Sequence, residues 1–245
     1  MKKKYRKSVF LGVIPARSGS KGIKNKNILR VAGKPLIAYT IRQAQSLSDY
    51  FSTIVSTDSQ KIARVARSCG ADVPFMRPRD LATDTTGMLA VLKHALQQYE
   101  KKNGVFVKAV VLLDLTAPVR KKQDIIRMTR IFQKEKPDLL VAVKNSHRNP
   151  YFNMLKIDAA RATKETSYAS LAVRNTAKRR QDAPRTYDIT NTCWIFSRQA
   201  VLREQRIPKK TQIYEINDDF IDIDVPGYVD TFKYFLKHKK RSIIW

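Results

Sequence analysis

The sequence predicts an α/β fold, a mostly parallel sheet flanked by helices, and three observations lead there. Short β-branched runs recur along the chain, and the segments between them carry apolar residues at helical spacing. Strand–helix–strand alternation of this kind is the pattern of a parallel sheet covered on both faces. A polar stretch, residues 146–190, interrupts the rhythm and carries the cationic cluster Lys178-Arg179-Arg180. It reads as an arm that leaves the sheet and serves dimerisation.

The elements follow in order. Residues 9–14 (Val-Phe-Leu-Gly-Val-Ile) make the first expected strand, and residues 53–57, 109–113 and 139–143 make the next three. Pro35 opens a helix with Ile37, Ile41 and Ala44 on one face. A second helix shows the stripe Met88, Val91, Leu92, Ala95 and Tyr99, and a third shows Ile125, Met128 and Phe132. Beyond the arm come a strand at residues 193–196, a short helix, a strand at 220–224 and a last helix near 228–236. There is no internal repeat or low-complexity linker, so one domain over residues 1–245, arm included, is the expected organisation. In such sheets ligands gather beyond the carboxyl ends of the strands.

Composition narrows the function classes. Hydrophobic residues are 43% of the 245, enough for a sizeable core. Lys and Arg number 48 against 21 acids, a net charge of +27, and twelve cations precede the first acid, Asp49. That field attracts nucleotides, acidic sugars, nucleic acids or anionic surfaces. A nucleic-acid-binding protein is the reading from another class, but no RNP pattern, helix-turn-helix spacing or finger motif accompanies the charge. No apolar run approaches the ~20 residues of a membrane span, and residues 9–14 are too short for a signal h-region. Cys69 and Cys193 form no disulfide framework, so a soluble cytoplasmic protein is expected. His94, His147 and His238 lack partners at zinc-ligand spacing, and no Ser/His/Asp or Cys/His set supports covalent hydrolysis.

Two features carry chemistry. The first strand runs into Pro-Ala-Arg-Ser-Gly-Ser-Lys-Gly (residues 15–22) and then Ile-Lys-Asn-Lys-Asn (residues 23–27). Small residues let backbone N–H groups point inward, while Arg17, Ser20, Lys21 and Lys26 add donors and charge, as a triphosphate requires. The loop is neither GxxxxGK[ST] nor GxGxxG. Asp222 and Asp224 are two residues apart, a spacing that puts both carboxylates on one face of an extended strand. Mg²⁺ takes one or two carboxylates together with substrate phosphates. Asp230 reads as an early helix acid.

These residues stand in a wider pattern. The phosphate loop, Gly33-Lys-Pro-Leu-Ile37, Val55-Ser-Thr-Asp58, Arg77-Pro78 with Leu81 and Asp84, Thr116-Ala-Pro-Val-Arg120, Arg179-Arg-Gln-Asp-Ala-Pro184 and Ile221-Asp-Ile-Asp224 together resemble the acylneuraminate cytidylyltransferases. The resemblance implies a nucleotide-diphospho-sugar transferase-like, Rossmann-like fold. It also implies CTP as donor, an acidic sugar as acceptor, Mg²⁺ as cofactor and a homodimer joined through a swapped arm. Position by position, it implies that Arg17, Ser20, Lys21, Lys26 and Asn27 hold the triphosphate and that Arg77 meets the cytosine end. It further implies that Arg180 reaches the sugar from the partner subunit, that Asp224 and Asp222 bind the metal, and that Asp222 also orients or deprotonates the hydroxyl. Arg17 and Lys21 would then steady the departing pyrophosphate.

Three positions depart from the sialic acid branch: Asp114 stands for a glutamine, Thr190 for an asparagine and Trp194 for a tyrosine, all expected in the sugar pocket. Asn191 lies one position late to replace that asparagine. The stretch from Gln181 to Asp188, with Asp114, is closer to relatives that handle legionaminic acid and other nonulosonic acids. The related activation of 3-deoxy-manno-octulosonate, an eight-carbon acid, is the alternative within the same chemistry.

Overall fold

The structure, a computed structural model, describes residues 8–19, 22–162, 167–173, 179–217 and 220–238. Its first strand, β1 (Ser8–Pro15), is covered on both faces: Leu11, Val13 and Ile14 are all buried, as expected for a central parallel strand. A short hairpin follows, β2 (Arg30–Val31) and β3 (Lys34–Pro35). Ala32 and Gly33 turn it with φ of 46° and 81°, the left-handed pair that a two-residue hairpin loop needs. Pro35 then sits at the N-cap of α1 (Leu36–Gln45), whose buried face includes Ile37, Ile41 and Ala44.

The chain continues through β4 (Ser52–Ser56), α2 (Gln60–Ser68), α3 (Met88–Asn103), β5 (Phe106–Leu112), α4 (Lys122–Glu135) and β6 (Leu139–Asn145). It then passes through β7 (Leu155–Ala162), β8 (Ser167–Leu171), β9 (Tyr187–Ser197), α5 (Arg198–Leu202), β10 (Thr211–Glu215) and α6 (Pro226–His238). Six strands form one sheet in the order β10-β6-β9-β5-β1-β4. β1 lies parallel to β4 and β5, with Ile14 beside Val55 and Gly12 beside Val111. β9 runs antiparallel to β5, pairing Val111 with Ile195. The sheet is therefore mixed, mostly parallel and flanked by helices.

Two expectations shift. In α3 the buried stripe is Leu89, Leu92 and Leu96 with Val91 and Ala95; Met88 is 40% exposed and Tyr99 only half-buried. Leucine three and four residues apart gives the wider apolar stripe. Residues 220–224 are not a strand. The Asp224 N–H donates to Asp222 O at 3.0 Å, a three-residue turn, and the Ile223 N–H donates to Thr116 O at 2.7 Å. Ile221 and Ile223 are buried on either side of Asp222 and anchor the segment.

The described chain divides into two compact units, Met1–Ala142 with Thr190–Trp245, and Val143–Ile189. The second contains the antiparallel hairpin β7/β8, in which Leu155 faces Leu171 and Ile157 faces Ala169. Leu155 and Ile157 are 67% and 65% exposed. Within this unit Asn149 is buried, donates to Pro184 O at 2.8 Å and accepts from the Tyr151 N–H at 2.9 Å. Among the described residues no helix is long and apolar enough to cross a membrane.

Candidate active site

At the carboxyl ends of β1, β4 and β5 lies a cleft of about 540 Å³, lined in part by Arg17, Gly22, Lys26, Arg77, Asp114 and Asp224. This is the size of a small-molecule site and the expected place for one.

The loop after β1 is tied down on both sides. The Ala16 N–H donates to Ser56 O at 2.9 Å, extending the β1/β4 pairing by one bond. Ser18 donates to the Asp58 carboxylate twice, through its amide at 2.9 Å and its hydroxyl at 2.5 Å. Asn27 is buried and donates to Arg17 O at 2.7 Å. The Arg17 guanidinium crosses to the loop before α3, 3.0 Å from Thr83 O and 2.7 Å from Asp84 Oδ1. Gly22 packs so tightly on the Asp224 carbonyl oxygen that a Cβ there would strike it. Lys26 Nζ lies 2.8 Å from Asp224 Oδ1. The first loop and the late acidic turn, 198 residues apart, therefore meet. Ser20 and Lys21 lie outside the described residues.

Arg77 is set at the end of β4 by its amide, which donates to Thr57 O at 2.8 Å. Only 5% of it is exposed. Asp58 is its counter-ion at 3.5 Å, and Nε and Nη2 have no hydrogen-bond partner. Burial pushes the Arg77 pKa down against the pull of Asp58. Burial also disfavours charge on Asp58, but the Ser18 hydroxyl and amide and the Arg77 guanidinium outweigh it and hold the carboxyl below its usual range. Arg77 also lines the cleft, where a guanidinium can meet an acceptor on a ligand. His94 has its pKa pushed down by burial and by Arg77 and packs edge-on against Phe75 at 5.2 Å.

The opposite wall is carboxylate-rich. Asp114 accepts from the Thr116 amide at 3.1 Å and from its hydroxyl at 3.2 Å. Burial pushes its carboxyl up, and the nearby Asp222 adds to the shift. Arg120 is buried behind this loop, donating through Nε to Ala117 O at 2.9 Å and through Nη2 to the Asp114 and Ala117 carbonyls. Burial pushes Arg120 down to about 10, opposed by Cys193, Asp114 and Asp222. Asp222 Oδ2 accepts from Asn191 Nδ2 at 2.5 Å, while Oδ1 is buried with no hydrogen-bond partner among the described residues. Asp224 is 63% exposed and faces the cleft.

Among the described residues there is no cluster of three or more His, Cys, Asp or Glu side chains. Two carboxylates, one with an unmatched oxygen and one open to the cleft, instead suit a hard cation that completes its shell with phosphate oxygens and water.

The structure thus brings together Arg17, Lys26, Asn27, Arg77, Asp114 and Asp224 at one cleft, with Asp222 close to Asp114. It does not bring Thr190 and Trp194 there. Thr190 is fully buried, its hydroxyl bonded to Ala142 O at 2.9 Å and to Thr192 Oγ1 at 2.8 Å. Trp194 is 6% exposed and stacks on Phe196 at 5.7 Å. Arg180 belongs to the other unit, where it is exposed and donates to His147 O at 2.9 Å. Asp58, Asp84 and Arg120 stand in the sequence landmarks with no expected role of their own, and Asn191 is one position from the expected asparagine; each makes a contact at or behind the cleft.

Comparison with known proteins bears on the family and the fold. Residues 11–223 match the family model described as cytidylyltransferase. The chain is 33% identical over 223 residues to post-translational flagellin modification protein B of Campylobacter coli, covering 91% of this chain and 92% of that one. It is equally 33% identical over 223 residues to CMP-N,N′-diacetyllegionaminic acid synthase of Campylobacter jejuni, covering 90% and 91%. A solved CMP:2-keto-3-deoxy-manno-octonic acid synthetase complexed with CTP shares the fold at a TM-score of 0.67 and 15% identity, over 95% of this chain and 99% of that one. With the family model spanning most of its length, this chain belongs to the cytidylyltransferase family.

Proposed function

We propose that the enzyme transfers CMP from CTP to the anomeric hydroxyl of an acidic nonulosonic sugar, of the legionaminate or N-acylneuraminate type, and releases pyrophosphate. The observation that carries this reading is the Lys26–Asp224 ion pair of 2.8 Å, because it joins a phosphate-type loop to a carboxylate turn across one cleft. In the reaction the hydroxyl oxygen bonds to the α-phosphorus, the bond from that phosphorus to the bridging oxygen breaks, and the hydroxyl proton passes to a base.

The chain's own groups supply most of this. Arg17 exchanges its Asp84 contact for phosphate oxygens, and Asn27 keeps the Arg17 backbone in place. Lys26 and Lys21 add positive charge along the triphosphate. Arg77, in the cleft lining, meets the nucleotide. Asp114 accepts from the sugar. Asp222 Oδ1, which has no hydrogen-bond donor among the described residues, is the group that orients the hydroxyl or meets a cation. Mg²⁺ held by Asp224 and Asp222 would neutralise charge on the α- and β-phosphates when bound. The exposed Leu155 and Ile157 of β7 support a homodimer joined through residues 146–190, with Arg180 of the arm serving the acidic sugar. Two free cysteines and a nucleotide donor suit the cytoplasm.

The 33% identical CMP-N,N′-diacetyllegionaminic acid synthase favours a nine-carbon acid over the eight-carbon acid of the solved synthetase, which shares only 15% identity. The test is pyrophosphate release with CTP and Mg²⁺ over N,N′-diacetyllegionaminic, N-acetylneuraminic, pseudaminic and 3-deoxy-manno-octulosonic acids. Turnover is expected with a nine-carbon acid and with CTP over ATP, GTP and UTP. Equal rates with all four nucleotides, or turnover confined to the eight-carbon acid, would overturn the assignment.

A further inference from the structure

The register of β9 gives Asn191 a task that its place in the sequence did not suggest. Thr190 and Thr192 are buried on one face of the strand, bonded to one another at 2.8 Å, and Thr190 is also bonded to Ala142 O. Side chains alternate along a strand, so those bonds fix the opposite face, and Asn191 leaves from it toward Asp222. Its Nδ2 meets Asp222 Oδ2 at 2.5 Å.

The rest of Asp222 is already constrained. Ile221 and Ile223 are buried on either side, and the Ile223 amide is bonded to Thr116 O, so the backbone is pinned and only the side-chain torsions remain free. The neighbouring groups give Asp222 no second hydrogen bond. Asp114 carries an acceptor that repels Asp222, and Arg120 spends its Nε and Nη2 on the carbonyls of Asp114 and Ala117 while its Nη1 has no hydrogen-bond partner among the described residues. Among the described residues, Asn191 donates the side-chain hydrogen bond that Asp222 receives. It binds one carboxylate oxygen and leaves the other, Oδ1, without a partner.

We infer that Asn191 is the positioning residue of the nucleotidyl transfer: its amide holds Asp222 Oδ2 beside Asp114 and leaves the buried Oδ1 without a partner, ready to take one when the substrates bind. The inference rests on the proposed cytidylyl transfer. A neutral amide suits the task, since it fixes the carboxylate through one hydrogen bond and adds no charge to that of the nearby Arg120. Groups that orient a metal-binding or catalytic carboxylate typically change activity by about 10–100-fold when lost. The Thr190–Asn191 pair therefore divides two duties by alternation, one residue for the core and the next for the site.

The test compares Asn191→Ala and Asn191→Asp with wild type, using CTP, Mg²⁺ and the acceptor from the four-acid panel that wild type uses best. CTP affinity by calorimetry and thermal melting are measured alongside. Asn191→Ala should melt and bind CTP as wild type does while kcat falls about 10–100-fold. Asn191→Asp, nearly the same shape but without the donor, should fall at least as far. An Asn191→Asp variant with wild-type kcat would assign Asn191 a packing role and overturn the inference, as would an unchanged kcat in Asn191→Ala. A parallel loss of CTP affinity and kcat in both variants would overturn it too, making Asn191 a nucleotide-binding or structural residue. Absence of pyrophosphate release by wild type with every acceptor would instead strike the proposed function itself, and this inference with it.

Discussion

On one side of the cleft, Arg17, Lys26 and Asn27 leave a single loop after β1, and Arg77 is hung by its amide on the end of β4. On the other side, Asp114, Asn191 and Asp222 come from three segments far apart in the chain, and the register of an antiparallel strand decides which of their neighbours face the site. The first side is built from local connections at the ends of parallel strands, so its residues arrive in the cleft together. The second depends on β9, where one step along the strand changes the face. Thr190 is in the core and Asn191 touches Asp222.

The largest effects should come from the meeting point of the two sides. Asp224→Ala and Arg17→Ala should each lower kcat by about 10²–10³-fold, the typical loss for a group that stabilises developing charge, with wild-type circular dichroism. Near-normal turnover in either variant would remove that residue from the site. Gly22→Ala should follow, because a Cβ there strikes the Asp224 carbonyl and must spread the loop from the turn. A misplacement of about 1 Å at a reacting centre can cost about 10²-fold in rate, and the melting temperature should change little beside it.

The buried β9 residues sharpen the contrast by behaving oppositely. Trp194→Ala should destabilise the fold by about 3–5 kcal/mol, as large-to-small core changes do, and residual folded enzyme should keep its KM for the sugar. Thr190→Val should cost about 1 kcal/mol by losing the bond to Ala142 O, read in urea melts, again without a change in sugar KM. A raised sugar KM in either variant, at unchanged stability, would return that residue to the sugar pocket.

The same division explains what the sequence made legible. The strand runs at 9–14, 53–57, 109–113, 139–143 and 193–196 and the helix opened by Pro35 are contiguous signals, and the structure places strands and a helix over them. The α3 stripe gained Leu89 and Leu96 in place of Met88 and Tyr99 because its apolar residues satisfy two neighbouring helical faces, and only packing chooses between them. Residues 220–224 alternate apolar and acidic like a strand, yet the segment finds no partner strand. It closes a three-residue turn and bonds to Thr116, a long-range contact that no local pattern reports. Arg120 and Asp58 were visible as landmarks, but their bonds to loop carbonyls and to Ser18 exist only once the loops are folded. Asn191, one position late for the asparagine it would replace, meets Asp222 only through the fold of a segment 31 residues on, which no local pattern reports.

The central claim is that the loop after β1 and the late acidic turn form one nucleotide site completed by a divalent cation. Calorimetric titration of CTP into wild type and Asp224→Ala, each with Mg²⁺ and with EDTA, tests it most directly. The account predicts that Mg²⁺ strengthens CTP binding to wild type and that Asp224→Ala with Mg²⁺ binds no more tightly than wild type in EDTA. An Asp224→Ala variant whose affinity for CTP still rises with Mg²⁺ as in wild type would contradict it.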